Sequence, residues 1–345
     1  MKIAHVIPTD GRGGVEEAAR SMAMRDNLNC DFKMVFVAGE SLMTDKTRVL
    51  PARYASRHDP RAYFDALRRL RQFAPDLVIC SLWRTLPLGM LVKWLNPRVK
   101  VVCFLHVARP AHVVDRLLYL LAMRASDAIW FDCLATFQGR AHGASKPGRI
   151  ISFVTARFRP FSAEAKPPCP RFVSWGRLNR QKGIDRALRL IAELVAQGVD
   201  ASFDAWGPDD GEKTSLVALA AKLRISDRVH FRGAIERQQL PEVAGSAAFF
   251  LQLSRFEGMA MTVVEAMQLG CVPVVTAVGE IATYCKPGVN AIVVEVNDLP
   301  AAARELRHVL DDPAIYAALR SRALSEWSCA QLYADDIAAA AAELV

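Results

Sequence analysis

Short apolar runs alternate with amphipathic stretches along most of this chain, and a proline-rich break divides the alternation into two series. In the first, KIAHVI, FKMVFVAG, DLVICS, VKVVCFLH and DAIWFD read as strands, and GVEEAARSMAMRD, PRAYFDALRRLRQFAP, LGMLVKWL and VDRLLYLLAMRAS read as the helices between them. Parallel strands need such crossovers, and strands apolar on both faces belong inside a sheet covered on both sides. The stretch RFRPFSAEAKPPCPR, Arg157 to Arg171, carries four prolines and no apolar period, so it reads as a linker. A second series follows, with FVSWG, ASFDAWG, RVHFRG, AFFLQLS and CVPVVT as strands and GIDRALRLIAELVAQG and EKTSLVALAAKLR among the helices. A chain of 345 residues exceeds one ordinary core, so two Rossmann-like α/β domains are expected. Their spans are 1–160 and 170–325, with a further helix in 326–345.

Several classes of function are disfavoured by what the chain lacks. The apolar run Leu117 to Met123 falls far short of the roughly 20 residues that span a bilayer. MKIAHVIPTD has no long apolar segment of a secretory signal, so a cytoplasmic location is expected. The eight cysteines form no Cys-x-x-Cys pair and several sit in strand-like runs, which suits buried thiols rather than disulfides or a metal site. Charge is uneven: residues 1–170 hold 26 Lys+Arg against 14 Asp+Glu, and residues 171–345 hold 18 against 22. The basic first half suits an anionic partner such as a phospholipid surface, a pyrophosphate-linked lipid or a nucleic acid. No interleaved aromatic platform supports nucleic acid.

Candidate chemistry gathers at strand ends, where open α/β sheets bind ligands. In FEGMAMTVVEAMQLG, Glu257 and Gly258 follow a buried strand and a helix is expected just after Gly258. Glu265 then lies inside it, roughly 11 to 12 Å along at 1.5 Å per residue. Carboxylates so spaced can hold two parts of one elongated, hydroxylated ligand. Between them the amides of Gly258, Met259, Ala260 and Met261 approach a helix N-terminus suited to phosphate. SWGRLNRQKGID places Arg177 and Lys182 on a loop closed by Gly183, where two cations suit a pyrophosphate. Gly13 and Gly14 open a helix after the first strand, without the Gly-x-Gly-x-x-Gly spacing or the Walker lysine. His106 ends VVCFLH and suits a polar contact to a sugar, with Arg109 nearby for an anionic group.

These residues resemble a known family. Glu257 to Glu265 is similar to the Glu-x7-Glu motif of retaining glycosyltransferases of family 4, which have the GT-B fold, and GRLNRQKGID resembles that family's phosphate-binding segment. The resemblance is strongest from Phe172 to Val296. It implies two Rossmann-like domains with a donor/acceptor cleft between them. It also implies a nucleoside-diphosphate sugar (UDP or GDP) as donor and a glycan or lipid-linked hydroxyl as acceptor, with no metal and no cofactor. By position, Arg177 and Lys182 would bind the donor diphosphate and Glu265 the ribose. Glu257 and His106 would contact the donor sugar, and Gly13 and Gly14 would line the diphosphate and acceptor side. The tail helix would cross back to the first domain. A setting in cell-surface polysaccharide synthesis is expected, with peripheral contact at the inner face of an anionic membrane. A nucleotide-sugar epimerase of the same architecture and a non-catalytic nucleotide-sugar or glycan-binding protein are the alternatives. The chain departs from the family at Gly279 to Thr283 and at Ala260, where glycine is usual and this residue adds a methyl.

Overall fold

The structure, a computed structural model, describes residues 1–11, 13–26, 28–107, 112–140, 146, 148–160 and 168–345. Arg109 and residues 161–167 of the proline-rich segment lie outside them. The chain divides into two compact units. Unit 1 comprises Met1–Ala156 with Gln331–Val345, and unit 2 comprises Arg157–Ala330.

Unit 1 is built on seven strands: β1 (Lys2–Ile7), β2 (Asp31–Phe36), β3 (Val49–Leu50), β4 (Leu77–Ser81), β5 (Lys100–Leu105), β6 (Ala128–Phe131) and β7 (Gly148–Ile150). They run parallel in the order β3-β2-β1-β4-β5-β6-β7. The chain moves outward from β1 to β2, then returns to place β4 on the other side of β1. Right-handed crossovers therefore put the connecting helices on opposite faces. Helix α1 (Gly14–Ala23) follows β1, and α2 (Pro60–Phe73), α3 (Leu86–Leu95), α4 (Val113–Ala125) and α5 (Leu134–Arg140) follow in turn. Local chemistry sets several of these boundaries. Asp59 accepts from the Arg61 amide ahead of Pro60 at the start of α2, and the His112 ring accepts from the Asp115 amide at the start of α4.

Unit 2 repeats the scheme with β8 (Arg171–Trp175), β9 (Ser202–Trp206), β10 (Val229–Gly233), β11 (Phe249–Gln252), β12 (Val272–Val275) and β13 (Ile292–Val293). Their order is β10-β9-β8-β11-β12-β13, again parallel. Its helices are α6 (Ile184–Ala196), α7 (Lys213–Lys222), α8 (Leu240–Gly245), α9 (Met261–Gln268), α10 (Ile281–Tyr284), α11 (Leu299–Asp311) and α12 (Pro313–Glu326). The apolar stripe Ile184, Ala187, Leu188, Ile191 and Leu194 of α6 is buried in the unit 2 core, beside Phe172, Phe203 and Phe249 of the strands. Helix α13 (Tyr333–Ala342) belongs to unit 1, where it packs on α1 and Tyr333 is fully buried.

One boundary differs from the sequence reading. The helix expected just after Gly258 begins at Met261, because Ala260 has φ 56° and ψ 59° and cannot continue a right-handed helix backwards. The substituted glycine position therefore carries a left-handed backbone as well as an added methyl. Among the described residues, no helix is long and apolar enough to cross a membrane.

Candidate functional site

In an open α/β sheet the chain ends splay apart where the strand order reverses, leaving a crevice at the carboxyl edge. In unit 2 that point lies between β8 and β11. Gly176, Arg177 and the turn Arg180–Lys182 follow β8, and Ser254 to Ala260 follow β11. Backbone contact brings the two loops together. Gly183 has φ +66°, and a Cβ there would sit 1.9 Å from the Leu253 carbonyl oxygen. Arg255 ties them further: its guanidinium donates to both oxygens of Asp185 and to the Arg180 carbonyl, and its amide donates to the Gln181 carbonyl. That guanidinium holds the Asp185 carboxyl below its ordinary range.

Lys182 is thereby aimed at Glu257. Its ammonium donates to Glu257 Oε1 at 2.9 Å, and the two side chains are 16% and 6% exposed. The same oxygen accepts from Ser254 Oγ at 2.7 Å and Gln252 Nε2 at 3.1 Å, while Oε2 accepts from Gln181 at 3.3 Å. Thr262 at the start of α9 donates to Gln252 Oε1 and orients that amide. A buried carboxylate needs this many donors to offset its lost hydration.

Glu265, in α9, accepts from the Trp175 indole at 2.9 Å through Oε2 and from Arg237 at 3.3 Å through Oε1. Trp175 is buried against Phe250 and its N–H requires such a partner. Arg177 is 43% exposed and donates to Asp210, which also accepts from Asn179. The structure thus gathers Lys182 with Glu257, sets Glu265 on the helix that follows, and places Arg177 on the same β8 loop, paired separately with Asp210. Gly258 and Met259 lie in the connecting loop, where Tyr284 donates to the Met259 carbonyl. Gly279, at φ +57°, supports that loop from below, because a Cβ would meet the Glu257 carbonyl at 2.1 Å.

The reversal in unit 1 lies between β1 and β4. Gly13 and Gly14 follow β1. Gly13 is the extended N-cap of α1 at φ −96°, a conformation that does not itself require glycine. His106, after β5, is buried, and its Nε2 is 2.9 Å from Ser81 Oγ. Ser81 is also 2.8 Å from His5 Nε2, and the Tyr333 hydroxyl is 3.5 Å from His5 Nδ1. At the other end, His106 Nδ1 is 3.7 Å from Asp132. Burial pushes the His5 pKa down to about 3, so its ring is neutral near pH 7. One serine proton cannot serve two imidazoles alike. Ser81 therefore donates to one of the two rings and accepts from the other. His106 therefore has one ring nitrogen bonded inside the unit and the other facing Asp132, rather than a nitrogen open to solvent.

Sequence reasoning did not single out Gln181, Gln252, Ser254, Trp175, Arg237 and Asp210 in unit 2, or His5, Ser81, Asp132 and Tyr333 in unit 1. A signal existed for two of them: Gln252 and His5 each interrupt an otherwise apolar strand, and a buried polar residue there must find a partner. Among the described residues, no group of three or more His, Cys, Asp or Glu is arranged to hold a metal ion.

Residues 158–325 match the family model for Glycosyl transferases group 1. D-inositol 3-phosphate glycosyltransferase 1 of Catenulispora acidiphila is 32% identical over 158 residues, which cover 43% of this chain and 38% of that protein. The 2-deoxystreptamine glucosyltransferase of Streptomyces kanamyceticus is 28% identical over 249 residues, covering 65% of this chain and 63% of its own. The chain thus spans less than two thirds of the length of these curated relatives. The crystal structure of Anabaena HepE in complex with UDP-glucose superposes over 100% of both chains with a TM-score of 0.80 at 17% identity, a likeness of fold. The fold is of the GT-B class, and the likeness to glycosyl transferases group 1 extends over residues 158–325, just under half of the chain.

Proposed function

We propose that the protein is a retaining glycosyltransferase of the family 4 type, moving a hexose from a nucleoside-diphosphate sugar to a hydroxyl of a glycan or lipid-linked acceptor. The observation that carries this reading is the pairing of two cations with two carboxylates at the strand reversal of unit 2, within the segment that matches the family. Arg177 and Lys182 would meet the diphosphate, exchanging their contacts with Asp210 and Glu257 for phosphate oxygens. Glu265 would take the ribose hydroxyls, held in place by Trp175. Glu257, released in part by Lys182, would accept from a donor-sugar hydroxyl. HepE, with the same fold, was crystallised with UDP-glucose, which supports a nucleotide sugar as the ligand class.

In the reaction the bond from the anomeric carbon to the diphosphate oxygen breaks. The acceptor oxygen bonds to that carbon on the same face, and the acceptor proton passes to the departing phosphate oxygen. Charge accumulating on the leaving group is the main barrier, and fixed cations in a partly dry site lower it electrostatically. The mechanism as drawn calls for neither metal nor cofactor. Unit 1 would receive the acceptor, with Gly13 and Gly14 allowing close approach, and His106 would face the donor sugar through its ring.

Incubating the protein with a panel of labelled nucleotide sugars, with and without a glycolipid extract, tests the assignment. Label entering the lipid phase with release of nucleoside diphosphate is the expected result, and the anomeric configuration of the product reads retention. A new nucleotide sugar formed from donor alone would instead identify an epimerase. Binding without turnover would identify a carrier or sensor.

A further inference from the structure

Helices α3 and α4 of unit 1 are apolar on the side that faces solvent as well as on the side that faces the sheet. Leu88 and Val92 of α3 and Tyr119 and Met123 of α4 are buried. On the opposite side of α4, Val113, Leu117 and Leu121 stand at i, i+4 and i+8, with Val113 81% exposed and Leu117 55% exposed. On α3, Leu91, Trp94 and Leu95 are exposed at i, i+3 and i+4, with Trp94 77% exposed. The two helices pack together, and Leu86 and Met90 of one and Ala122 and Ala125 of the other line a common narrow gap. Their exposed stripes therefore lie side by side, with axes roughly 8 to 10 Å apart. An exposed apolar stripe of this length is normally covered by something.

Charge indicates what covers this face. Between Arg84 and Arg124 the sequence holds seven Lys or Arg and a single acid, Asp115, which is buried. Arg116 and Arg124 are exposed on α4 itself. A second copy of the chain would set Arg116 and Arg124 against their own counterparts, with no exposed acid on α3 or α4 to meet them, since a two-fold interface pairs a patch with itself. An anionic lipid surface satisfies both features: leucine, valine and tryptophan side chains enter the headgroup boundary, and arginines meet the phosphates.

We propose that the exposed face of α3 and α4 is a docking surface for an anionic membrane, holding unit 1 at the surface where a lipid-linked acceptor would lie. The inference rests on the glycosyltransferase reading for its purpose but not for its test, because vesicle binding and nucleotide binding are measured separately. The full-length protein is floated with vesicles of phosphatidylglycerol and phosphatidylcholine, and with pure phosphatidylcholine, at low and high salt. The wild type is expected to float with the anionic vesicles, more at low salt. Leu117→Glu/Leu121→Glu should bind at least about tenfold less, since each buried leucine contributes about that factor. Arg116→Gln/Arg124→Gln should lose the preference for anionic lipid while keeping residual binding. Light scattering of the same proteins reads the oligomeric state, and stabilisation by UDP reports that unit 2 is intact. Failure of the wild type to float, or a leucine variant that floats like wild type, overturns the proposal. A wild-type dimer that the leucine variant splits would assign the face to self-association instead. If floating fails while UDP still stabilises the protein, only the membrane inference falls.

Discussion

Replacing Lys182 by alanine removes the one cation that, among the described residues, bonds the Glu257 carboxylate, which is 6% exposed. Breaking a buried ion pair from one side costs about 3–5 kcal/mol, because the other charge stays buried. Glu257 keeps its bonds from Ser254, Gln252 and Gln181, which places the expected cost near the lower end, about 3 kcal/mol. The reverse change is milder. In Glu257→Gln the lysine, on a flexible stem and 16% exposed, can turn its ammonium to water, for a cost of about 1–2 kcal/mol. The double variant buries no charge and should lose about 2 kcal/mol, which leaves a coupling of about 2 kcal/mol between the sites. Scanning calorimetry of the full chain reads this as a drop of roughly 6–12 °C in the unit 2 transition for Lys182→Ala, at about 2–4 °C per kcal/mol for a unit of this size. The reasoning is refuted if Lys182→Ala is as mild as Glu257→Gln, or if the two changes add to within about 0.5 kcal/mol.

Three further outcomes are expected. His5 has a folded pKa of about 3 against an ordinary 6.5, so the unfolded chain takes up a proton that the folded ring refuses. Stability from this source is intact above pH 6.5 and is lost as pH falls toward 3, at up to about 1.4 kcal/mol per pH unit. Denaturation of His5→Gln from pH 7 to 4.5 should therefore show a shallower decline than wild type, and parallel curves would contradict it. Ala260→Gly relieves roughly 1–2 kcal/mol of left-handed strain while losing a methyl and gaining chain entropy on unfolding, so it should be neutral to within about 0.5 kcal/mol. Ala266→Gly, at a helical and fully buried position of α9, should cost roughly 1 kcal/mol or more in the same urea titration. Asp210→Asn removes the carboxylate that competes for Arg177, an exposed pair worth at most about 1 kcal/mol, and should tighten UDP binding up to about fivefold in a calorimetric titration. Unchanged or weaker binding would show that Arg177 does not meet the diphosphate.

What was legible in the sequence was whatever depends on local period and on strand ends. The alternation of apolar runs gave both parallel sheets, and Arg177, Lys182 and Glu257 could be marked because each follows a strand, and Glu265 because it lies in the helix that comes next. The pairings among them were not legible. Nothing in GRLNRQKGID says that Lys182 reaches Glu257, because that contact depends on Gly183 lying against the Leu253 carbonyl and on Arg255 clasping the turn. The start of α9 was misplaced because an alanine in a left-handed conformation looks like any helix-forming alanine. The His5, Ser81, His106 and Asp132 array was hidden for a simpler reason: its members lie in β1, at the end of β4 and just after β5 and β6, far apart in sequence, and only the order of strands in the sheet brings them together.

The central claim is that unit 2 holds a nucleoside diphosphate through Glu265 and the paired cations. Thermal midpoints of wild type and Glu265→Ala with UDP, GDP, ADP and CMP at millimolar concentration test it most directly, since a ligand that binds the folded state raises the midpoint by mass action. The account predicts that one diphosphate stabilises the wild type and that Glu265→Ala, itself folded, loses the effect. No shift with any nucleotide, or an equal shift in the variant, would contradict it.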